Sequence, residues 1–171
     1  LGVPYEALRE HINAYLPPLD VGEITVDEMY AAVLVDLGLP AQNLAVFQNM
    51  YLSAYSVDEE LEAFARSLRP RLRTALLSNY SLRLRGLLET RWHIADAFDE
   101  LIISAEVKLM KPQPEIYTLT LERLGCAAQE AVFVDDRLEN VRAAEALGIR
   151  SILFTETASV IRALRGLIGL A

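Results

Sequence analysis

The chain has 171 residues, 53% of them hydrophobic, enough for one compact domain with a small added lobe. A net charge of −8 excludes a basic field for nucleic acid or anionic lipid, so an anionic ligand would need cations placed locally. The lone Cys126 excludes an internal disulfide and fits a reducing cytoplasm, and no run approaches the ~18 apolar residues of a membrane span.

Residues 1 to about 69 read as helices, which we take as one lobe. Pro17-Pro18 is expected to break the first of them, because proline removes a backbone donor and crowds the preceding turn. Thr25-Val26-Asp27-Glu28 has capping-box spacing ahead of Met29, Ala32, Val33, Val35 and Leu37, and Gly38 and Pro40 close that helix. Leu44, Phe47, Met50, Tyr51 and Tyr55 recur at helical spacing. Ser56-Val57-Asp58-Glu59 repeats the capping signature before Leu61, Phe64, Ala65 and Leu68.

From Thr74 short apolar runs alternate with helices. Thr74 to Leu77, Leu101 to Ile103, Ala131 to Val134 and Ser151 to Phe154 are the runs. Helices are predicted through Leu82 to Leu88, from Pro114 to Leu124 before Gly125, up to Gly148, and from Thr157 to Leu167. Continuous apolar runs of this length mean strands buried on both faces, hence an α/β fold with a doubly wound parallel sheet over residues 70–171. Leu1 stands where a Met would begin a complete protein, and no secretory signal pattern follows it, so the chain is expected to start inside a longer protein.

In open parallel sheets the ligand sits beyond the carboxyl ends of the strands. Three polar clusters fall there: Ser78-Asn79, Lys111-Pro112, and Asp135-Asp136. Asp136 with Glu139 also fits a capping box, but capping has no use for Asp135, and two adjacent carboxylates repel unless a cation lies near. A hard cation such as Mg²⁺ relieves them with waters and phosphate oxygens. Ser78 and the backbone N–H groups after it suit an anion, although Ser, Asn and Ser at 78, 79 and 81 are also ordinary turn chemistry. Lys111, stiffened by Pro112-Gln113-Pro114, suits a phosphate or carboxylate as a point charge; Lys108 reads as a solvated surface lysine. His11 and His93 are too few for a histidine cluster.

These segments, Leu76 to Ser81, Ser104 to Tyr117 and Val132 to Val141, resemble the haloacid dehalogenase (HAD)-like hydrolases over most of residues 20 to 155. The likeness is nearest to the subgroup with a helical cap after the first strand: sugar-phosphate phosphatases, phosphoglucomutase-like enzymes and the phosphatase domain of epoxide hydrolases. It implies a Rossmann-like core at 70–171 under a cap at 1–69. It also implies a Mg²⁺-dependent phosphatase of small phosphorylated metabolites, working through an aspartyl-phosphate. By position Ser78 would bind the phosphoryl group, Asn79 would line its pocket, and Lys111 would balance nucleophile and phosphate. Asp136 would ligate Mg²⁺, with Asp135 supporting from behind, and Lys108 stands where relatives carry glycine.

The family's opening strand with its nucleophilic aspartate is not found, and the expectation is that it lies upstream of Leu1. Val33 to Gly38 imitates it, but Asp36 follows a capped helix and only 42 positions separate it from Ser78, little room for a cap. Losing that central strand leaves this chain without activity, after its neighbours close up or another segment substitutes. A non-catalytic binding domain is the alternative. A haloacid dehalogenase has no use for the acidic pair, a mutase needs the same nucleophile, and a phospho-accepting receiver domain expects the acidic pair before the lysine. Oligomeric state and substrate identity leave no mark in the sequence.

Overall fold

The computed structural model describes residues 2–53, 55–69 and 71–169. Helix α1 (Tyr5–Asp20) is followed by α2 (Val26–Asp36), α3 (Leu44–Ser53) and α4 (Glu59–Leu68). Pro17 and Pro18 lie inside α1 and do not break it, contrary to the expectation. They fall in its last turn, where the fixed φ of proline is already helical, and the Val21 N–H still reaches Pro17 O at 3.3 Å. The capping box of α2 is formed: Thr25 N–H donates to Glu28 at 2.7 Å and Glu28 N–H to Thr25 Oγ1 at 3.2 Å. Gly38, at φ +62°, ends α2, and Leu39 N–H returns to Leu34 O at 2.8 Å. On α4 the cap is Asp58, which accepts from Leu61 N–H at 3.0 Å, and not Ser56 as the spacing suggested.

Leu8, Leu19, Met29, Tyr30, Val33 and Phe47 form a core shared by α1, α2 and α3, with the Tyr30 and Phe47 rings 4.8 Å apart. Helix α4 packs elsewhere. Arg66 pairs with Asp96 at 2.7 Å and Arg69 with Asp99 at 3.0 Å, both acids lying in the α/β half. Asp58 meets Thr157, and Arg165 sits over the Phe64 ring.

The second half runs β1 (Ala75–Ser78), α5 (Leu84–Thr90), β2 (Glu100–Ile103), α6 (Ser104–Val107), α7 (Pro114–Leu124), β3 (Val132–Asp135), α8 (Leu138–Ala146), β4 (Arg150–Leu153) and α9 (Thr157–Ile168). Strand β1 pairs in parallel with β2, Ala75 against Glu100 through Ser78 against Ile103. Strand β3 pairs in parallel with β4, Val132 against Arg150 through Asp135 against Leu153. Among the described residues the two pairs are separate sheets. They have not closed up and no segment joins them. Every residue of β1 is therefore half-buried, where an inner strand of a parallel sheet would be covered throughout. The fold is α/β with parallel strands, as expected, in the form of two halves. No helix is long and apolar enough to cross a membrane among the described residues.

Candidate active site

Both β1 and β3 end at the same crevice, a cavity of about 390 Å³ bordered by Ser78, Asn79, Lys111, Asp135 and Asp136. Residues separated by up to 58 positions (78 to 136) thus share one surface, because parallel strands present their carboxyl ends on one side. Asp36 does not reach it. It ends α2 and accepts from the Tyr15 hydroxyl at 2.7 Å.

Lys111 spans the space between the half-sheets. Its Nζ donates to Leu77 O on β1 at 2.8 Å and to Asp135 Oδ2 on β3 at 2.6 Å. The pair is nearly dry, with side-chain exposures of 11% and 4%. Asp135 Oδ1 accepts from Arg137 N–H at 2.9 Å and from Asn140 Nδ2 at 2.8 Å, so both of its oxygens are engaged. Asn79 fixes the lysine's backbone from both sides, donating to Lys111 O and accepting from Lys111 N–H, each at 2.8 Å. Its amide is therefore turned to the lysine loop, while the residue borders the cavity. The Lys111–Pro112 peptide is cis. Ser78 borders the cavity with no hydrogen bond on its hydroxyl among the described residues.

Asp136 is exposed and carries no hydrogen bond or ion pair among the described residues. The helix after it is capped at Arg137 with no side-chain cap bond, so the capping-box reading of Asp136 and Glu139 is not what forms. Glu139 instead pairs with Arg137 at 2.5 Å. Lys108, read as merely solvated, donates to Val21 O at 2.8 Å and Gly22 O at 3.0 Å, fastening the end of α1 to the α/β half. It sits at φ +59°, the left-handed conformation for which glycine is the usual choice.

The sequence gave no hint of Asp20, which reaches the cavity from the end of α1. Burial pushes its carboxyl up to about 6, opposed by the Arg137 charge. Arg83 and Arg137 also border the cavity and place cations there against the negative whole, Arg83 being paired to Asp27 at 2.7 Å. Asn140 was part of a quoted motif without a role; its position five residues after Asp135 was the available signal. It is buried, with Oδ1 unpartnered, as is Ser81 Oγ.

The family model for haloacid dehalogenase-like hydrolases matches residues 18–148. The chain belongs to that family. Among its relatives is the sesquiterpene phosphatase astK of Aspergillus oryzae, 28% identical over 149 residues, covering 86% of this chain and 76% of that protein. A phosphorylated carbohydrates phosphatase of Thermotoga maritima is 35% identical over 107 residues, 63% of this chain and 48% of the relative. The chain spans only 29% and 15% of two longer relatives. A HAD family enzyme of Bacteroides thetaiotaomicron, solved with magnesium and inorganic phosphate, superposes with a TM-score of 0.76 at 20% identity, covering 94% of this chain and 92% of that one. That likeness establishes the HAD fold.

Magnesium is implied by the fold family, and the residues can be tested for it. No group of three or more His, Cys, Asp or Glu able to hold a metal occurs among the described residues. One uncommitted carboxylate, Asp136, faces the crevice beside the engaged Asp135. Mg²⁺ keeps several waters and binds through one or two carboxylates plus substrate phosphate, so this donor set fits a weak, substrate-assisted site.

Proposed function

We propose that this HAD-like chain carries the substrate and metal side of a Mg²⁺-dependent phosphatase acting on small phosphorylated metabolites, with residues 1–69 as a helical cap over 70–171. The convergence of Ser78, Lys111 and Asp136 on one cavity supports this reading. Relatives named as phosphatases, and a structural neighbour solved with magnesium and phosphate, support it too. The single cysteine favours a cytoplasmic setting.

The free Ser78 hydroxyl and the backbone after it hold a phosphoryl oxygen. Lys111 supplies positive charge at a position fixed by Asn79, Leu77 O and Asp135. Asp136 would hold Mg²⁺, which when bound shields the phosphate charge. An aspartyl-phosphate needs a strand-borne carboxylate between β1 and β3, and the described residues supply none there. This chain alone therefore turns nothing over. The same gap favours the second reading, a non-catalytic HAD-fold module that retains ligand binding.

Inorganic phosphate titrated with and without Mg²⁺ tests the site. Mg²⁺ should strengthen phosphate binding, Asp136→Asn should remove that enhancement, and the melting temperature should not move. Equal binding with and without Mg²⁺ would refute the metal assignment. Turnover of an aryl phosphate that disappears in Asp36→Asn would refute the placement of the nucleophile.

A further inference from the structure

The cavity is polar on one side only. Opposite Ser78 and Lys111 the helical half contributes Leu16, Met29 and Leu52, and α5 contributes Leu87. Leu52 and Leu87 are half-buried and belong to none of the hydrophobic clusters formed by the described residues. Their carbon surface is turned to the cavity instead. Tyr55 continues this wall, edge-on to Tyr80 with ring centroids 6.0 Å apart. Polar side chains on the same side are largely engaged. Arg83 is held by Asp27, leaving Asp20 as the carboxyl that faces the space from α1. A polyol pressed against such a wall would leave hydroxyls without partners, which binding sites penalise heavily. An apolar group would displace water from it. The volume of about 390 Å³ falls in the range that takes a ligand larger than phosphate.

We infer that the site takes phosphate monoesters of apolar alcohols, the phosphate lying at Ser78 and Lys111 and the hydrocarbon along Leu16, Leu52 and Leu87. This rests on the phosphate-site reading above and narrows its substrate class.

Calorimetric titration of the chain with inorganic phosphate, methyl, butyl and octyl phosphate, glucose 6-phosphate and 1-octanol, all with Mg²⁺, tests it. Affinity should climb along the alkyl series by up to about fourfold per buried methylene. Glucose 6-phosphate should bind no tighter than methyl phosphate. Leu52→Gln and Leu87→Gln should flatten the climb while leaving inorganic phosphate binding in place. A flat alkyl series, or a preference for the sugar phosphate, with inorganic phosphate still bound, overturns the apolar wall and spares the phosphate site. Saturable 1-octanol binding weakened by Leu52→Gln, without any phosphate binding, overturns the phosphate site and spares the wall. No binding by any probe overturns both.

Discussion

The ion pair between Lys111 and Asp135 is the contact that joins the two half-sheets, and its removal has a calculable effect. In Lys111→Met the Asp135 carboxylate stays 4% exposed with its Oδ2 partner gone, while Oδ1 keeps its bonds from Arg137 N–H and Asn140. Breaking one side of a buried pair costs roughly 3–5 kcal/mol. The two surviving bonds to Oδ1 favour the lower end, about 3 kcal/mol. For a chain of this length that lowers the melting temperature by roughly 6–12 °C. Adding Asp135→Asn removes the stranded charge and keeps an acceptor for Arg137 and Asn140. The double variant should therefore recover about 2 kcal/mol of the loss, consistent with a charge penalty. Urea denaturation followed by Trp92 fluorescence measures all four corners of the cycle. A loss below ~1 kcal/mol for Lys111→Met would refute the reasoning, since it would mean water reaches the pair. A double variant no more stable than Lys111→Met would refute it as well.

Asp20 should make stability pH-dependent. Its folded pKa of about 6 lies above its ordinary 3.8, so its favourable contribution is complete below pH 3.8 and is lost as pH rises through about 6. Partial exposure screens the nominal effect to about 1–2 kcal/mol. Asp20→Asn should stabilise the chain by that amount at pH 7 and by almost nothing at pH 4; equal gains at both pH values would exclude titration as the cause. Gly22→Ala is expected to cost more than Gly38→Ala in thermal melts. Both glycines have positive φ, worth about 1–2 kcal/mol, but only at Gly22 would a Cβ meet Lys108 Nζ at 2.8 Å and Ala105 O at 3.0 Å. Equal losses would show that the Lys108 fastening yields freely.

Elements governed by local chemistry could be read directly. Helix α7 begins at Pro114 and stops before Gly125 because proline suits a first turn and glycine accepts the left-handed cap. The Thr25 capping box and the four short β-forming runs follow the same logic. The placement of Ser78, Asn79, Lys111 and Asp135-Asp136 at strand ends was equally legible, since apolar runs ending in polar turns mark where a parallel sheet opens.

Packing decided the rest. The capping signature of α4 says nothing of its partners, which are ion pairs to Asp96 and Asp99 and the face of α9, formed across some 30 residues and more. Asp20 carries no local mark, and its raised pKa arises only when the end of α1 is carried onto the cavity. The engagement of Lys111 with Asp135, the turn of Asn79 towards the lysine loop, and the uncovered Leu52 and Leu87 are likewise long-range outcomes. Backbone propensity and capping are set by neighbours within four residues, so the chain's own order fixes them. Burial, ion pairing and cavity walls depend on which distant surfaces meet, and only the assembled fold determines that.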